Sequence, residues 1–154
     1  MRRKLIVLGA ILLGSWGLAA ASGVQQAEEE AVRETVMTAY VDGIHNYRRV
    51  EDVREGFHPD FRMLMLREGT LGELAIGDWI AALERQNRQS GPVPGDAAPT
   101  TRPEFVQIDI TGDAASVKLE LYREGKKVFT DYLLLYRFPG EGWRIVSKTF
   151  YRHP

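Results

Sequence analysis

The chain has 154 residues, 44% of them hydrophobic and 27% charged, with a formal net charge of −1. That length supports one domain with a substantial core, and nothing in the near-neutral balance suggests a nucleic-acid binder. There is no cysteine, which excludes disulfides, thiol chemistry, cysteine metal sites and a lipid-modified lipoprotein start.

Residues 1–21 read as a signal peptide. Arg2, Arg3 and Lys4 form the positive n-region, 5–18 is the apolar stretch, and Ala19-Ala20-Ala21 offers a small-residue cleavage site. Cleavage after Ala21 is the simplest reading, with Gly23 as a second choice. An uncleaved anchor is the alternative, because the uncharged run 5–26 is long enough to span a membrane. Arg2-Arg3 also resembles a twin-arginine signal, a route for proteins exported with a cofactor, but no cofactor motif follows. Loss of the leader leaves 17 basic and 21 acidic residues, a net charge of −4. The expected location is exported, periplasmic or secreted, with no membrane attachment after cleavage.

Residues 28–44 predict the first helix. Val32, Val36, Ala39, Tyr40 and Gly43 fall on one helical stripe, and Glu28-Glu29-Glu30 suits the positive end of the helix dipole. Residues 50–57 predict a short second helix, stopped where Pro59 turns His58 out of the helical region. Residues 61–66 and 69–74 predict a short strand pair. Residues 79–88 predict a third helix with Ile80 and Leu83 inward and Asp78 or Gly77 as N-cap. The stretch 89–103 holds four prolines and two glycines and reads as the longest loop.

Four strands follow. Val106, Ile108 and Ile110 alternate with polar residues, then Gly112-Asp113 turns the chain. Ala115, Val117, Leu119 and Leu121 alternate likewise, giving one dry and one wet face. Residues 128–138 are mostly apolar, as expected of a central strand covered on both faces. A turn at 139–142 leads into Trp143-Arg144-Ile145-Val146-Ser147-Lys148.

Asp131 and Lys148 are the candidates of most interest. A symmetric turn at 139–142 makes opposed residue numbers sum to about 281, so Asp131 faces Phe150 and Leu133 faces Lys148. The charges become diagonal neighbours on one apolar face. A one-residue shift would put them on opposite faces. The pair reads either as a salt bridge or as the polar anchor of a pocket. His58 reads as an acid–base group near neutrality or as a helix-ending histidine bonded to backbone. Tyr40 lines a pocket or packs in the core, where its hydroxyl needs a partner. Met63 and Trp79 are pocket walls or core. His45 and His153 are expected in solvent, and three separated histidines predict no metal site.

Tyr40-Val41-Asp42-Gly43, Phe57-His58-Pro59-Asp60, the 108–115 hairpin, Asp131-Tyr132-Leu133-Leu134-Leu135 and the 143–150 strand together resemble the nuclear transport factor 2-like superfamily. Within it, the chain is most similar to small bacterial lumazine-binding-like and SnoaL-like proteins. The resemblance implies an α+β fold over 27–154: a cone-shaped, curved, mixed but mainly antiparallel sheet packed on three N-terminal helices, with a pocket. It also implies a homodimer paired through the sheets. The scaffold hosts isomerases, cyclases, dehydratases and non-enzymatic binders, so it does not carry one function. Its steroid isomerases use an aspartate base with a tyrosine and a protonated acid as donors; Tyr40 and Asp131 match two of these, with no third. The first expectation is a non-catalytic pocket for a small, partly apolar molecule, without cofactor. The second is an isomerase, cyclase or dehydratase acting on an apolar carbonyl compound.

Overall fold

The computed structural model describes residues 16–154, with side chains from Ser22 onward. The leader's basic start and most of its apolar run lie outside the described residues. Helix α1 spans Trp16–Thr35 and runs directly into a π-helix, Val36–Asn46. The stripe expected from the sequence is the buried one: Val32, Val36, Ala39, Tyr40 and Gly43 all face the core. Among the described residues, no helix is long and apolar enough to cross a membrane.

Helix α2 (Val50–Gly56) packs back onto the π-helix. A Cβ at Gly56 would overlap the Ala39 methyl, so glycine is what lets the two backbones approach. Gly56→Ala is expected to destabilise the fold by about 3 kcal/mol, the upper end for overpacking. Denaturant melts check this; a loss below about 0.5 kcal/mol, as at ordinary surface sites, would show that the helices can part freely.

Strand β1 (Phe57–Arg67) begins earlier than expected, at Phe57, because Pro59 is accommodated in extended backbone. Proline cannot donate to a ladder, and the β1–β6 pairing is irregular between Phe57 and Arg62. Strand β2 (Thr70–Ala75) closes a hairpin with β1. Helix α3 (Ile76–Ser90) starts three residues before the expected Trp79. Its N-cap is Ala75, with no side-chain cap, so neither Asp78 nor Gly77 serves. Burial of Ile76, Ile80 and Leu83 anchors it instead.

The remaining strands are β3 (Arg102–Thr111), β4 (Ala114–Arg123), β5 (Lys126–Phe138) and β6 (Gly142–Arg152). The sheet order is β2-β1-β6-β5-β4-β3, antiparallel except where β1 runs parallel to β6. The helices cover one face. In β3 a bulge between Phe105 and Gln107 turns Val106 outward, against the simple alternation. Strand β5 is covered on one face only. Asp131, Leu133 and Leu135 are buried, whereas Tyr132, Leu134 and Tyr136 are about half exposed.

Strand β6 carries the feature that matters most for the site. The hairpin closes with Phe138 opposite Gly142, a register in which opposed numbers sum to 280. Continued unbroken, it would set Lys148 opposite Tyr132, on the outer face. A bulge at Val146 intervenes, between the pairs Leu135–Ile145 and Leu134–Ser147. The inward set therefore switches from Trp143 and Ile145 to Lys148 and Phe150. Asp131 does face Phe150, and Leu133 faces Lys148; the bulge, rather than a symmetric turn, delivers that register.

Candidate functional site

Three elements converge beneath the sheet's inner face. The π-helix supplies Tyr40, β5 supplies Asp131 and β6 supplies Lys148. Asp131 is 0% exposed and Lys148 4%. The Tyr40 hydroxyl donates to Asp131 Oδ2 at 2.6 Å, across 91 residues of chain. Lys148 Nζ lies 2.9 Å from Oδ1, off the hydrogen-bonding directions, so Oδ1 has no hydrogen-bond partner. The ammonium also approaches Met63 Sδ at 3.8 Å and stands 4.2 Å from the centre of the Phe150 ring. A buried charge requires such pairing, and the ring face adds cation–π attraction.

Burial pushes the Tyr40 phenol well above its ordinary range, and the neighbouring Asp131 charge adds to this. Tyr40 therefore stays protonated and holds the carboxylate. Burial lowers the Lys148 pKa, opposed by the Asp131 charge. The arrangement is a neutralised triad, in which Oδ2 accepts from Tyr40 and Oδ1 is ion-paired with Lys148 without a hydrogen bond.

His45 joins this interior rather than the solvent, contrary to expectation. Hydrogen bonds from i to i+5 bring residues five apart to one side of a π-helix; Tyr47 N–H to Asp42 O, at 2.8 Å, is one. His45 is five residues after Tyr40, and their ring centroids are 4.8 Å apart, edge to face. Its Nδ1 lies 3.1 Å from an Arg123 guanidinium nitrogen, which fixes Nδ1 as the acceptor and leaves the proton on Nε2. Nε2 is buried without a partner. Burial first, then Lys148 and Arg123, lower its pKa from 6.5 to about 3.

The sequence candidates divide. Tyr40, Met63, Asp131 and Lys148 come together, and Trp79 packs edge-on against Tyr40, with Phe57 and Phe61 beside it. His58 stands apart at the start of β1. Its ring stacks on Phe138 at 4.8 Å and its Nδ1 accepts from the Asp60 N–H at 3.1 Å. His153 is half-buried, with Nε2 2.9 Å from the Thr130 hydroxyl. Phe129 and Phe150 were legible as site residues, since each lies two residues from Asp131 or Lys148 on the same face. Among the described residues, no cluster of three His, Asp or Glu is placed to hold a metal.

A cavity of about 810 Å³ lies against Phe150, with none of Tyr40, Asp131 and Lys148 in its lining. Phe129, Phe150 and Met65 form its apolar wall, with Arg67 and Arg152 at its edges. Phe150 separates this space from Lys148: the same ring faces the cavity and the ammonium.

The family profile described as "Putative lumazine-binding" matches residues 27–151. The chain belongs to this family. Solved structures of similar shape share the nuclear transport factor 2-like fold. An NTF2-like protein of unknown function from Silicibacter pomeroyi DSS-3 shares 20% identity over 86% of this chain and 98% of that one, with a TM-score of 0.62. One from Shewanella baltica OS155 shares 21% over 85% and 96%, also at 0.62. A third, from Methylobacillus flagellatus KT, shares 22% over 81% and 91%, at 0.58. No curated protein matches the chain. The α+β cone of the lumazine-binding family is thus the fold found, with its mixed, mainly antiparallel sheet.

Proposed function

We propose that this chain is an exported, non-catalytic binding domain for a small, partly apolar molecule. The observation that carries this is the aromatic cavity of about 810 Å³ set against a fully buried, internally neutralised triad. Apolar walls with a few polar groups are what small-molecule sites are made of. The family description favours a flat, carbonyl-bearing heteroaromatic such as a lumazine ring, which would stack on Phe150 or Phe129.

An isomerase-type reaction needs a base within reach of the substrate. Asp131 is sealed, accepts from Tyr40 and pairs with Lys148, while His58 is stacked on Phe138. Both observations support binding over proton abstraction. Titration with lumazine, followed by its fluorescence, is the test. Saturable binding is expected, at least tenfold weaker in Phe150→Ala. No saturable change, or an unchanged Kd in the variant, would count against the cavity.

Export rests on the leader pattern at 1–21. Cleavage after Ala21 predicts a mature protein that begins at Ser22, which mass spectrometry of an extracytoplasmic extract reads directly. Pairing of two copies is supported by the outer face of β5, where Tyr132, Leu134 and Tyr136 are 48%, 51% and 53% exposed. A strand this apolar on its open face is explained by a cover, and a second copy supplies one of matching character. Light scattering is expected to give twice the monomer mass; the monomer mass alone would contradict it.

A further inference from the structure

A second cavity, of about 580 Å³, lies between the end of the π-helix, α3 and the loop 91–101. Its wall includes His45, Arg48, Gln86, Thr100 and Arg123, and contains two arginines but no aspartate or glutamate. This is unusual in a chain whose acidic residues outnumber its basic ones outside the leader. Neither arginine forms a salt bridge among the described residues; arginines 33, 49, 54, 137 and 144 do, whereas 62, 67, 85, 88, 102 and 152 do not.

The two side chains are held in place by neutral partners. Arg48 Nη2 donates to the Gly91 carbonyl at 3.0 Å, and the Arg48 carbonyl accepts from Asn87 at 3.0 Å. Arg48 Nη1 is buried with no acceptor. A buried guanidinium N–H without a partner is costly, and here the backbone also works against it: Arg48 has φ 52, a left-handed conformation that side-chain-bearing residues rarely adopt. Arg123 Nε donates to the Thr101 hydroxyl at 3.1 Å, and its Nη2 to His45. Each arginine thus spends part of its fork on the scaffold and keeps an Nη1 without a protein acceptor, buried in Arg48 and on an exposed residue in Arg123.

We propose that this cavity is an anion site, taking a phosphate or carboxylate group of a small molecule between Arg48 and Arg123 under the 91–101 loop. Two separate Nη1 donors suit the spread oxygens of such a group. His45, which accepts from Arg123, joins the anion site to Tyr40 and the triad, so occupancy is felt in the interior. This cavity and the aromatic one share no lining residue.

The test uses the whole mature protein in chloride buffer at constant ionic strength, titrated separately with inorganic phosphate and with acetate. Nitrogen-detected NMR follows the Arg48, Arg123 and His45 side chains. A saturable shift of these three signals is expected, with phosphate and acetate ranking the two anion types. Arg48→Gln and Arg123→Gln are each expected to weaken it at least tenfold, while lumazine binding at the other cavity stays unchanged. Should Arg48→Gln fail to fold, Arg123→Gln alone decides. The proposal is overturned by shifts that chloride reproduces, by shifts spread evenly over the surface arginines, or by unchanged binding in the variants.

Discussion

Lys148→Met is expected to cost on the order of 3–5 kcal/mol, the penalty for stranding one charge of a buried pair. Methionine fills the lysine stem's space beside Met63 and Phe150, so packing is nearly conserved. What is lost is the ammonium 2.9 Å from a carboxylate that is 0% exposed. Asp131→Asn is milder. The amide still offers Tyr40 an acceptor, and Lys148 sheds its proton readily, because burial already lowers its pKa. The sign of its pH dependence follows. The folded lysine gives up its proton below the ordinary value of 10.5, where the unfolded chain still holds it. Stability therefore rises with pH up to that value, over a wider window in Asp131→Asn than in wild type. Denaturant melts of both single variants and the double variant decide the matter. The double is expected to recover most of the loss. Three variants all within about 0.5 kcal/mol of wild type, as at ordinary surface sites, would mean that solvent reaches the pair.

Acid should unfold this protein through His45. Its folded pKa is lowered from 6.5 to about 3, so the unfolded chain binds a proton that the folded chain refuses. Stability present above pH 6.5 is then lost as pH falls, by about 1.4 kcal/mol per unit until about pH 3. The groups facing the ring set the same sign: Lys148 and Arg123 both repel a proton, and Tyr40 stays neutral. His45→Gln keeps an acceptor for Arg123 and removes the titration. Carboxylates titrate in both proteins, so the difference between the two stability curves isolates the histidine. That difference is expected to grow steadily below pH 6.5, and parallel curves would rule the mechanism out. The His45 ring proton shift gives the midpoint directly.

The fold was largely legible because its signals are periodic. Alternation in β4 and the helical stripe from Val32 to Gly43 each named a buried face, and the faces found are those. Asp131 and Lys148 were legible as a pair, although the register depends on a bulge at Val146 that no local composition marks. His45 was not legible as an interior group. An α-helical count turns it away from Tyr40, and nothing in Tyr40-Val41-Asp42-Gly43-Ile44-His45 announces π winding. The apolar composition of β5 misled in a different way. It suggested cover on both faces, whereas this chain covers only the Asp131 face. His58 sat beside a proline as expected, but the strand begins at Phe57, before the proline, and carries the imidazole to Phe138 rather than to the triad.

The Val146 bulge gives β6 something like a reading frame. From Gly142 to Ile145 the strand is in one phase, and from Ser147 onward it is in the other. Loss of Thr149 would invert everything after it and turn Phe150 out of the interior. Loss of Val146 alone would leave Lys148 inward, because the residue removed is the surplus one. Across insertions and deletions, then, the strand has one position where length can change while the inside of the protein keeps its chemistry.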